Sequence, residues 1–402
     1  MVARVLLLEN PHEVADEAYG RYGIEVERVP GSLATDDLIE RLQNFDMVGI
    51  RSKTNITREV IEACPRLTAI GAYCIGTNQI DLEAASDHGV AVFNAPYSNT
   101  RSVVEMAIGE LILLVRRIPS KNAALHKGVW QKTAAGAHEV RGKTLGIIGY
   151  GSIGSQLSVV AEALGMKVIF HDIAERLALG NATKVSLDEL LATSDVVSLH
   201  IDGRPSNTGY FDAEKFAKLK DGAILLNLAR GHVMDLDALR EAILSGRVAG
   251  AAVDVFPSEP LKNGDPFSSV LVGLDNVILT PHIGGSTLEA QESIGGFVTG
   301  KLLNYWRKGS TELSVNTPNI ATAPSAPALH RVAWYHWNTP GALADVNRLF
   351  ADEGVNVTFQ SLATQGEYGY MVTDIASEVP AAVLERLEHA KAHIRLRLLT
   401  RE

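Results

Sequence analysis

The sequence predicts an α/β protein with two doubly wound parallel-sheet domains and a smaller C-terminal α+β domain. Two series of short apolar runs alternate with helix-like segments, one over residues 2–94 and the other over residues 143–282. Such an alternation favours parallel strands covered by helices. A stretch rich in Pro, Ala and Ser at 317–327 precedes residues 328–402, which begin with a strand, a helix and a second strand. The length of 402 residues is consistent with two or three compact domains.

The elements of the first series include apolar strands at residues 4–8, 47–50 and 67–71. A helix cap at 99–101 and an apolar helix from 102 to 117 lead into the second series. The strands of that series are expected near residues 144–149, 167–172, 196–200, 223–227, 249–255 and 277–280.

A long helical pattern after Thr287 runs to about Lys308 and is expected to return to the first domain, which would then be discontinuous. The boundaries that we expect are 1–98 with 286–316 for the first domain, 99–285 for the second, 317–327 for a linker and 328–402 for the third.

Composition limits the classes of function. The formal net charge of −10 argues against a nucleic-acid partner, because such binding depends on Lys and Arg neutralising phosphates. The two cysteines cannot build a disulfide framework, and no Cys and His cluster has zinc-ligand spacing, so no metal site is expected. The sequence shows no secretory signal and no membrane-spanning stretch, and we expect a cytoplasmic protein that does not associate with membranes.

A glycine fingerprint directly follows an apolar strand and opens a helix. The segment ThrLeuGlyIleIleGlyTyrGlySerIleGly at 144–154 has G-x-G-x-x-G spacing. The first glycine permits a tight turn, the second lets backbone amides approach a pyrophosphate, and the third lets helix and strand pack closely. The predicted dinucleotide contacts are Gly149, Tyr150, Gly151, Ser152, Ile153 and Gly154.

The next predicted strand ends at Asp172, where an adenosine ribose would be hydrogen-bonded. Because a carboxylate there repels a 2′-phosphate, the sequence favours NAD over NADP. The neighbouring His171, if partly protonated, would soften that discrimination and leave NADP use open. The bland alternative is a glycine-rich turn beside a capping Asp.

Three polar segments follow at the C-terminal ends of predicted strands, where α/β sheets bind ligands. They carry Arg230, Glu259 and His282. An imidazole suits the base that takes a hydroxyl proton, a carboxylate beside it raises its pKa and orients it, and a guanidinium matches a substrate carboxylate. Taken singly, each residue could instead have a purely structural role, as a helix-capping Arg, a surface Glu beside Pro260 and a core His after Pro281.

The ordered set of motifs resembles the D-isomer-specific 2-hydroxyacid dehydrogenase family. The resemblance rests on the glycine fingerprint, AsnLeuAlaArgGly, ValAspValPhe with GluPro, and ThrProHisIleGlyGlySerThr, and extends to about residue 316. It implies a flavodoxin-like substrate domain, a Rossmann NAD domain, NAD as cofactor, and catalytic roles for Arg230, Glu259 and His282. The implied cofactor contacts outside the fingerprint and Asp172 are His200, Ala229, Asp254, Gly284 and Gly285.

Within the family, the segments at 74–82, 98–105 and 128–132 are similar to the branch, particularly its short bacterial type, that acts on 3-phosphoglycerate. That substrate is anionic at both ends. Arg230 would hold its carboxylate with the backbone of Ile75 and Gly76, the phosphate would be held by Arg51, Lys53 and Lys132, and Ser52 is a further expected substrate contact. The resemblance implies that Lys132 reaches a neighbouring subunit. A solvated basic edge is the alternative explanation for these cations.

Residues 328–402 resemble an ACT-type regulatory domain. The run ArgValAlaTrpTyrHisTrp reads as a strand, AsnThrProGly caps a helix at 342–353, and GlyValAsnValThr begins another strand. The resemblance implies that such domains pair through their sheets, bind serine as an effector at His336, Asn338 and Asn356, and form a tetramer as a dimer of dimers. Turn chemistry is the alternative role for the two asparagines, with a purely structural pairing domain as the alternative function.

Two further functions stay open at this stage. One is a dehydrogenase for another D-2-hydroxy acid such as 2-hydroxyglutarate, whereas for the branch that acts on 3-phosphoglycerate a reduction of 2-oxoglutarate is expected only as a side reaction. The other is a non-catalytic NAD-sensing binding protein on the same scaffold.

Overall fold

The computed structural model describes residues 2–260, 262–321, 323–324 and 328–400. The chain forms two compact units, one made of residues 1–98 and 291–402 and the other of residues 99–290. The predicted α/β class, with two parallel sheets and an antiparallel C-terminal sheet, is confirmed.

The first sheet lies in the first unit and has five parallel strands in the order β2-β1-β3-β4-β5. This is the flavodoxin-like order, whose switch point between β1 and β3 opens a crevice at the carboxyl ends of the strands. The elements are β1 Arg4–Leu8, α1 Val14–Gly20, β2 Glu25–Val29, α2 Thr35–Leu42, β3 Met47–Ile50, α3 Arg58–Ala63, β4 Ala69–Ala72, α4 Leu82–Asp87 and β5 Ala91–Phe93.

The second unit contains a seven-stranded parallel sheet in the order β12-β11-β10-β9-β6-β7-β8. This is the Rossmann order with one further strand beyond β11, and its switch point lies between β6 and β9. The elements are α5 Thr100–Val115, α6 Ile118–His126, β6 Thr144–Ile148, α7 Ser152–Ala163, β7 Lys167–His171, β8 Thr183–Lys184, α8 Leu187–Thr193, β9 Val196–Leu199, α9 Ala213–Lys218, β10 Ala223–Asn227, α10 Leu236–Leu244, β11 Val248–Val253 and β12 Val277–Leu279.

The helix α11, Leu288–Lys308, carries the chain back to the first sheet. Its Val298 and Leu302 are buried in the same core as Phe93. A Cβ at Gly71 would lie 2.6 Å from Leu302 Cδ1, so only glycine allows this helix to lie so close to β4.

The C-terminal sheet is antiparallel, in the order β14-β15-β13-β16, which is the ferredoxin-like β-α-β-β-α-β topology. Its apolar face packs under the two helices around Trp334, Phe350 and Met371. The elements are β13 His330–Trp337, α12 Ala342–Asp352, β14 Val357–Gln365, β15 Tyr368–Ile375, α13 Ala381–Glu388 and β16 His393–Thr400.

Part of the stretch that was expected to be a linker is buried within the first unit. Thr317 and Ile320 are buried, and Thr311 Oγ1 donates to Pro318 O at 2.6 Å. Residues 322 and 325–327 of that stretch, and 401–402 of the third domain, lie outside the described residues. The division into three functional domains stays a prediction.

Candidate active site

The glycine turn between β6 and α7 has the shape that the fingerprint predicts. Gly149 has φ +93°, and a Cβ there would lie 2.6 Å from His200 O. A Cβ at Gly154 would lie 2.3 Å from Gly149 O, whereas a Cβ at Gly151 would meet no atom within 4 Å. Two glycines therefore permit close packing and the middle one borders open space. This arrangement fits a dinucleotide pyrophosphate at the N-terminus of α7.

Asp172 directly follows β7 and lies beside the turn. Its Oδ2 accepts a hydrogen bond from Tyr150 N at 2.8 Å, and its Oδ1 accepts one from Ala174 N at 2.8 Å. Arg176 Nε lies 3.5 Å from Asp172 Oδ2. The neighbouring His171 has its Nδ1 3.2 Å from Val185 O. The carboxylate is thus held rigidly at the position expected for an adenosine ribose, and the nearby guanidinium is a feature that the sequence did not reveal.

His200 lies beside the glycine turn and is partly buried. Ala229 directly precedes Arg230 and is buried. His200 Nε2 is 2.8 Å from Ser198 Oγ, and burial lowers the pKa of the imidazole to about 4. Ala229 N donates to Asn227 Oδ1 at 3.1 Å. A neutral His200 adds no positive charge to this region at neutral pH.

Glu259 and His282 form a hydrogen-bonded pair. His282 Nδ1 is 2.8 Å from Glu259 Oε2, while Glu259 Oε1 accepts a hydrogen bond from Phe256 N at 3.0 Å. Both carboxylate oxygens therefore have a partner. His282 itself has φ +55°, an uncommon conformation for a non-glycine residue that is found at functional sites. A cavity of about 400 Å³ borders the pair and is also lined by Phe256 and Phe267.

Electrostatics reinforce this pair. The hydrogen bond that His282 makes to Glu259 raises the pKa of the imidazole above its ordinary value, although burial acts in the opposite direction. Burial acts to raise the pKa of Glu259, but the hydrogen bonds from His282 and Phe256 lower it overall. The positive charge of Arg230 acts, as the smallest of these effects, to lower both pKa values, so Arg230 lies within electrostatic range of the pair.

Arg230 follows β10, and its Nη1 donates to Ala229 O at 2.7 Å. The next residue, Gly231, approaches the backbone that follows β11 so closely that a Cβ would lie 2.0 Å from Phe256 C. Gly231 therefore sets the spacing between the Arg230 loop and the segment that leads to Glu259. This glycine belongs to the AsnLeuAlaArgGly motif. Its contact with Phe256 could not be read from the motif, because the two residues are distant in sequence.

Asp254 organises the segment after His282. Its Oδ1 accepts hydrogen bonds from Thr280 Oγ1 at 2.6 Å and Ile283 N at 2.9 Å, and its Oδ2 accepts one from Gly284 N at 2.8 Å. The buried carboxylate thus fixes the turn on which His282 lies. Gly285 packs against Asn99, because a Cβ there would lie 2.2 Å from Asn99 Nδ2. The hydrogen bond from Thr280 to Asp254 was not predicted from the sequence.

In the first unit, Glu9 holds the loop that carries the predicted phosphate ligands. Glu9 directly follows β1, and its carboxylate accepts hydrogen bonds from Arg51 N at 3.3 Å, Lys53 N at 3.0 Å and Thr54 N at 2.8 Å. Ser52 and Lys53 are exposed and Arg51 is half-buried. Sequence analysis missed Glu9, although its place at the end of a parallel strand was a usable signal.

Gln79 connects this loop to the segment that contains Ile75 and Gly76. Its Nε2 donates to Arg51 O at 2.6 Å and to Gly76 O at 3.3 Å. Asn94 Nδ2 donates to Ile75 O at 2.6 Å. These bonds bring the two predicted substrate segments of the first unit together. The bonds also occupy the carbonyl groups of Ile75 and Gly76, so the backbone N–H groups of this segment are the ones that can donate to a ligand.

Lys132 lies in the second unit, in an exposed irregular segment after α6. Its neighbour Trp130 is 77% exposed, which is unusual for so large an apolar side chain. The structure of one chain shows nothing that covers this tryptophan among the described residues of the second unit.

The three predicted effector residues do not meet within one chain. His336 pairs with Gly369, whereas Asn356 precedes Val357, which pairs with Ile375 opposite His330. Six strand positions separate residues 330 and 336, or about 20 Å at the rise of a β-strand. His336 and Asn338 thus lie at one end of the sheet and Asn356 at the other.

Residues 108–284 match the D-isomer specific 2-hydroxyacid dehydrogenase, NAD binding domain family, and residues 333–392 match the AHAS small subunit-like ACT domain family. The chain belongs to the D-isomer-specific 2-hydroxyacid dehydrogenase family, and NAD is the cofactor of the matched domain. The glycine turn and Asp172 in this chain fit that cofactor.

Several similar curated proteins are named D-3-phosphoglycerate dehydrogenase. The chain is 48% identical, over 98% of its length and 97% of the other, to D-3-phosphoglycerate dehydrogenase of Haemophilus influenzae. It is 49% identical to the Escherichia coli protein of that name over the same shares of the two chains. It is 44% identical to D-3-phosphoglycerate dehydrogenase 2 of Saccharomyces cerevisiae, over 98% of this chain and 87% of that one.

Solved structures agree with the family. D-2-hydroxyisocaproate dehydrogenase superimposes with a TM-score of 0.71 at 26% identity, over 78% of this chain and 99% of that one. The D-lactate dehydrogenase of Aquifex aeolicus, complexed with NAD and lactic acid, has a TM-score of 0.65 at 28% identity, over 75% and 95% of the two chains.

Metal-ion clusters and membrane-spanning helices are both absent from the described part of the chain. Among those residues, no group of three or more His, Cys, Asp or Glu side chains is arranged to hold a metal ion. No helix among them has the length and apolar character that crossing a bilayer requires.

Proposed function

We propose that this protein oxidises D-3-phosphoglycerate to 3-phosphohydroxypyruvate with NAD, the first step of L-serine biosynthesis. The observation that carries the proposal is the hydrogen-bonded Glu259–His282 pair, which lies within electrostatic range of Arg230. The glycine turn of the same unit has the close packing that a dinucleotide site requires. The names of the curated relatives, at 44–49% identity over nearly the whole chain, support this substrate.

His282 acts as the base in this proposal. Its Nδ1 is committed to Glu259, so Nε2 is the nitrogen that takes the proton of the substrate hydroxyl. Glu259 stabilises the imidazolium that forms, and Arg230 holds the substrate carboxylate and polarises the developing carbonyl. NAD, when bound, supplies the nicotinamide that accepts the hydride from the carbinol carbon. Asp254, held by Thr280 and two backbone amides, positions the carboxamide end of that cofactor.

The phosphate of the substrate is assigned to Arg51, Ser52 and Lys53. Their loop is held through its backbone by Glu9, so the side chains remain available for a dianion. Backbone N–H groups of Ile75 and Gly76 assist Arg230 at the carboxylate. Lys132 is assigned to the site of a neighbouring subunit, and the exposed Trp130 beside it supports burial of this segment on dimerisation.

The C-terminal domain is proposed to bind serine and inhibit the enzyme. Because His336 and Asn356 lie at opposite ends of one sheet, a site that uses both requires two chains, which supports pairing of regulatory domains in a tetramer built as a dimer of dimers. The proposed location of the enzyme is the cytoplasm.

Initial rates of NADH oxidation test the substrate. We expect turnover of 3-phosphohydroxypyruvate at micromolar to millimolar concentration, slower turnover of 2-oxoglutarate, and inhibition by added L-serine but not D-serine. A His282→Ala variant serves as the blank. Preferential turnover of an unphosphorylated 2-oxo acid would assign the protein to a sibling dehydrogenase, and NADH binding without turnover of any 2-oxo acid would contradict an enzymatic function.

A further inference from the structure

The regulatory sheet contacts the end of a helix in the substrate domain of the same unit. Tyr368, the first residue of β15, donates from its Oη to Asp87 Oδ1 at 2.7 Å. Asp87 is the last residue of α4. Next to it, Arg395 Nε of β16 donates to His88 O at 2.9 Å. Two separate strands of the regulatory sheet therefore hold the C-terminal end of α4.

Gly89 makes this contact possible. It has φ +62°, and a Cβ there would lie 2.7 Å from Arg395 Cβ and 3.3 Å from Tyr335 Cδ1. Both the backbone conformation and the close approach require glycine. The turn after α4 thus lies directly against the regulatory sheet.

Asp87 also reaches the start of a second helix. Its Oδ2 accepts a hydrogen bond from Arg58 Nη1 at 2.9 Å, and Arg58 is the first residue of α3. Burial acts to raise the pKa of the Asp87 carboxyl, but hydrogen bonds from Tyr368 and Arg58 lower it below its ordinary value. Asp87 is therefore an ionised link between Tyr368, the end of α4 and the start of α3.

Both helices begin immediately after the segments that carry the predicted substrate ligands. Ile56 N donates to Gln79 O at 2.8 Å and Asp81 N donates to Ile56 O at 2.9 Å, so the entrances to α3 and α4 are joined. Gln79 Nε2 in turn holds Arg51 O at 2.6 Å. Hydrogen bonds therefore connect Asp87, through Arg58 and the entrances to the two helices, with the loop of Arg51.

The other end of this chain of contacts lies at the predicted effector residues. Asn338 Nδ2 donates to Gly366 O at 3.2 Å, and Asn338 N donates to Glu367 O at 2.8 Å. Trp337 stacks on Tyr368 with ring centroids 5.3 Å apart. Asn338 is therefore bonded to the hairpin turn that immediately precedes Tyr368.

We propose that Tyr368 is a positioning residue that couples the effector site at Asn338 to the substrate loops through Asp87 and Arg58. This proposal rests on the proposed function for the identity of the effector and substrate. A ligand that displaces the Gly366–Tyr368 hairpin alters the bond to Asp87, and the starts of α3 and α4 respond. Such a network couples the two sites only if ligand binding at each site shifts its conformation. Measured effects of each ligand on the other site test this.

Tyr368→Phe removes the hydroxyl and keeps the ring that stacks on Trp337. Tyr370→Phe is the matched control, because Tyr370 belongs to the same strand but its Oη donates to Gly309 O at 2.8 Å and not to α4. In the full-length enzyme we expect Tyr368→Phe to bind serine as the parent does in direct calorimetric titration. Its half-inhibitory serine concentration should rise about tenfold, within the usual range of allosteric coupling. Tyr370→Phe should remain inhibited.

A readout that needs neither serine nor turnover separates this proposal from the proposed function. Hydrogen exchange of the ligand-free chain should become faster at residues 51–58 and 74–88 in Tyr368→Phe and remain unchanged there in Tyr370→Phe. Asp87→Asn should produce the same pattern, and the double variant with Tyr368→Phe should add little to it. If the parent is insensitive to serine but this exchange pattern appears, serine regulation fails and the positioning role stands. Unchanged exchange at both segments in Tyr368→Phe would overturn the positioning role.

Discussion

His282 Nδ1 and Glu259 Oε2 lie 2.8 Å apart, and the second oxygen of the same carboxylate accepts a hydrogen bond from Phe256 N at 3.0 Å. The imidazole is therefore oriented by a carboxylate that is itself fixed by the backbone. Any pH dependence of the reaction should reflect this pair, and the two macroscopic pKa values belong to the pair together.

The pair makes a signed prediction about pH. Glu259 raises the pKa of His282, and oxidation of a hydroxy acid needs the neutral imidazole, so kcat/KM for oxidation should rise with pH through that elevated pKa. In Glu259→Gln the pKa of His282 should fall, which moves the acidic limb of the oxidation profile to lower pH. Reduction needs the imidazolium, so its alkaline limb should move to lower pH as well. An unchanged profile in this variant would contradict the pairing, and Glu241→Gln, an exposed carboxylate, is the control.

Removal of the imidazole should affect turnover more than binding. General acid and base groups contribute about 10²–10⁴-fold to rate, so His282→Ala should lower kcat by that range while NADH binding, followed by protein fluorescence, stays within about twofold. A variant that turns over at the parental rate would remove His282 from the mechanism.

Asp172 should control the choice of cofactor. Hydrogen bonds to charged groups contribute about 1.5–3 kcal/mol, so Asp172→Asn should raise KM for NAD about tenfold or more. KM for NADP should fall, because a carboxylate no longer opposes a 2′-phosphate and Arg176 lies next to position 172. Asp188→Asn, an exposed residue paired with Lys218, should leave both constants unchanged. An unaltered NAD to NADP ratio in Asp172→Asn would contradict the assignment.

The basic loop should distinguish phosphorylated substrates. A double Arg51→Ala, Lys53→Ala variant should raise KM for 3-phosphohydroxypyruvate by about two orders of magnitude, because two charge-assisted contacts to a dianion are lost. Its activity with unphosphorylated hydroxypyruvate should change little. Arg21→Ala, a surface cation paired with Glu17 in the same unit, is the control. Equal losses with both substrates would show that the loop is needed for folding and not for phosphate recognition.

Gly231 should tolerate no side chain. A Cβ would lie 2.0 Å from Phe256 C, so Gly231→Ala should displace the Arg230 loop and destabilise the second unit by about 1–3 kcal/mol, with loss of activity. Gly300→Ala on α11 is the control, because its Cβ would meet no atom within 4 Å and should be neutral or slightly stabilising. Thermal unfolding together with activity tests both variants, and parental activity in Gly231→Ala would contradict the close approach.

Much of the fold was predictable because its signals are local. Apolar runs of strand length alternate with amphipathic helices, and the second series placed β6, β7, β9, β10, β11 and β12 within one or two residues of the observed strands. The two-residue strand β8 was missed, since two exposed residues carry no periodicity. Arg230, Glu259 and His282 could be grouped because parallel strands present their carboxyl ends at one edge. Their catalytic roles stay predictions.

The contacts that escaped sequence analysis join distant positions. Glu9 binds the amides at 51–54, Gly231 packs on Phe256, and Tyr368 reaches Asp87. A glutamate after a strand, a glycine in a loop and a tyrosine in a hairpin each have many possible partners. Only the folded arrangement of strands and turns selects among them.

The separation of His336 from Asn356 along one sheet has a consequence for the cell. If the sensor is assembled from two chains, then dilution of the protein below the dissociation constant of that pairing would abolish end-product control without altering any residue of the catalytic centre. The abundance of the protein would then become a second variable that sets how tightly flux follows demand, and a minority of chains defective at Asn356 would impair the sensing of their normal partners.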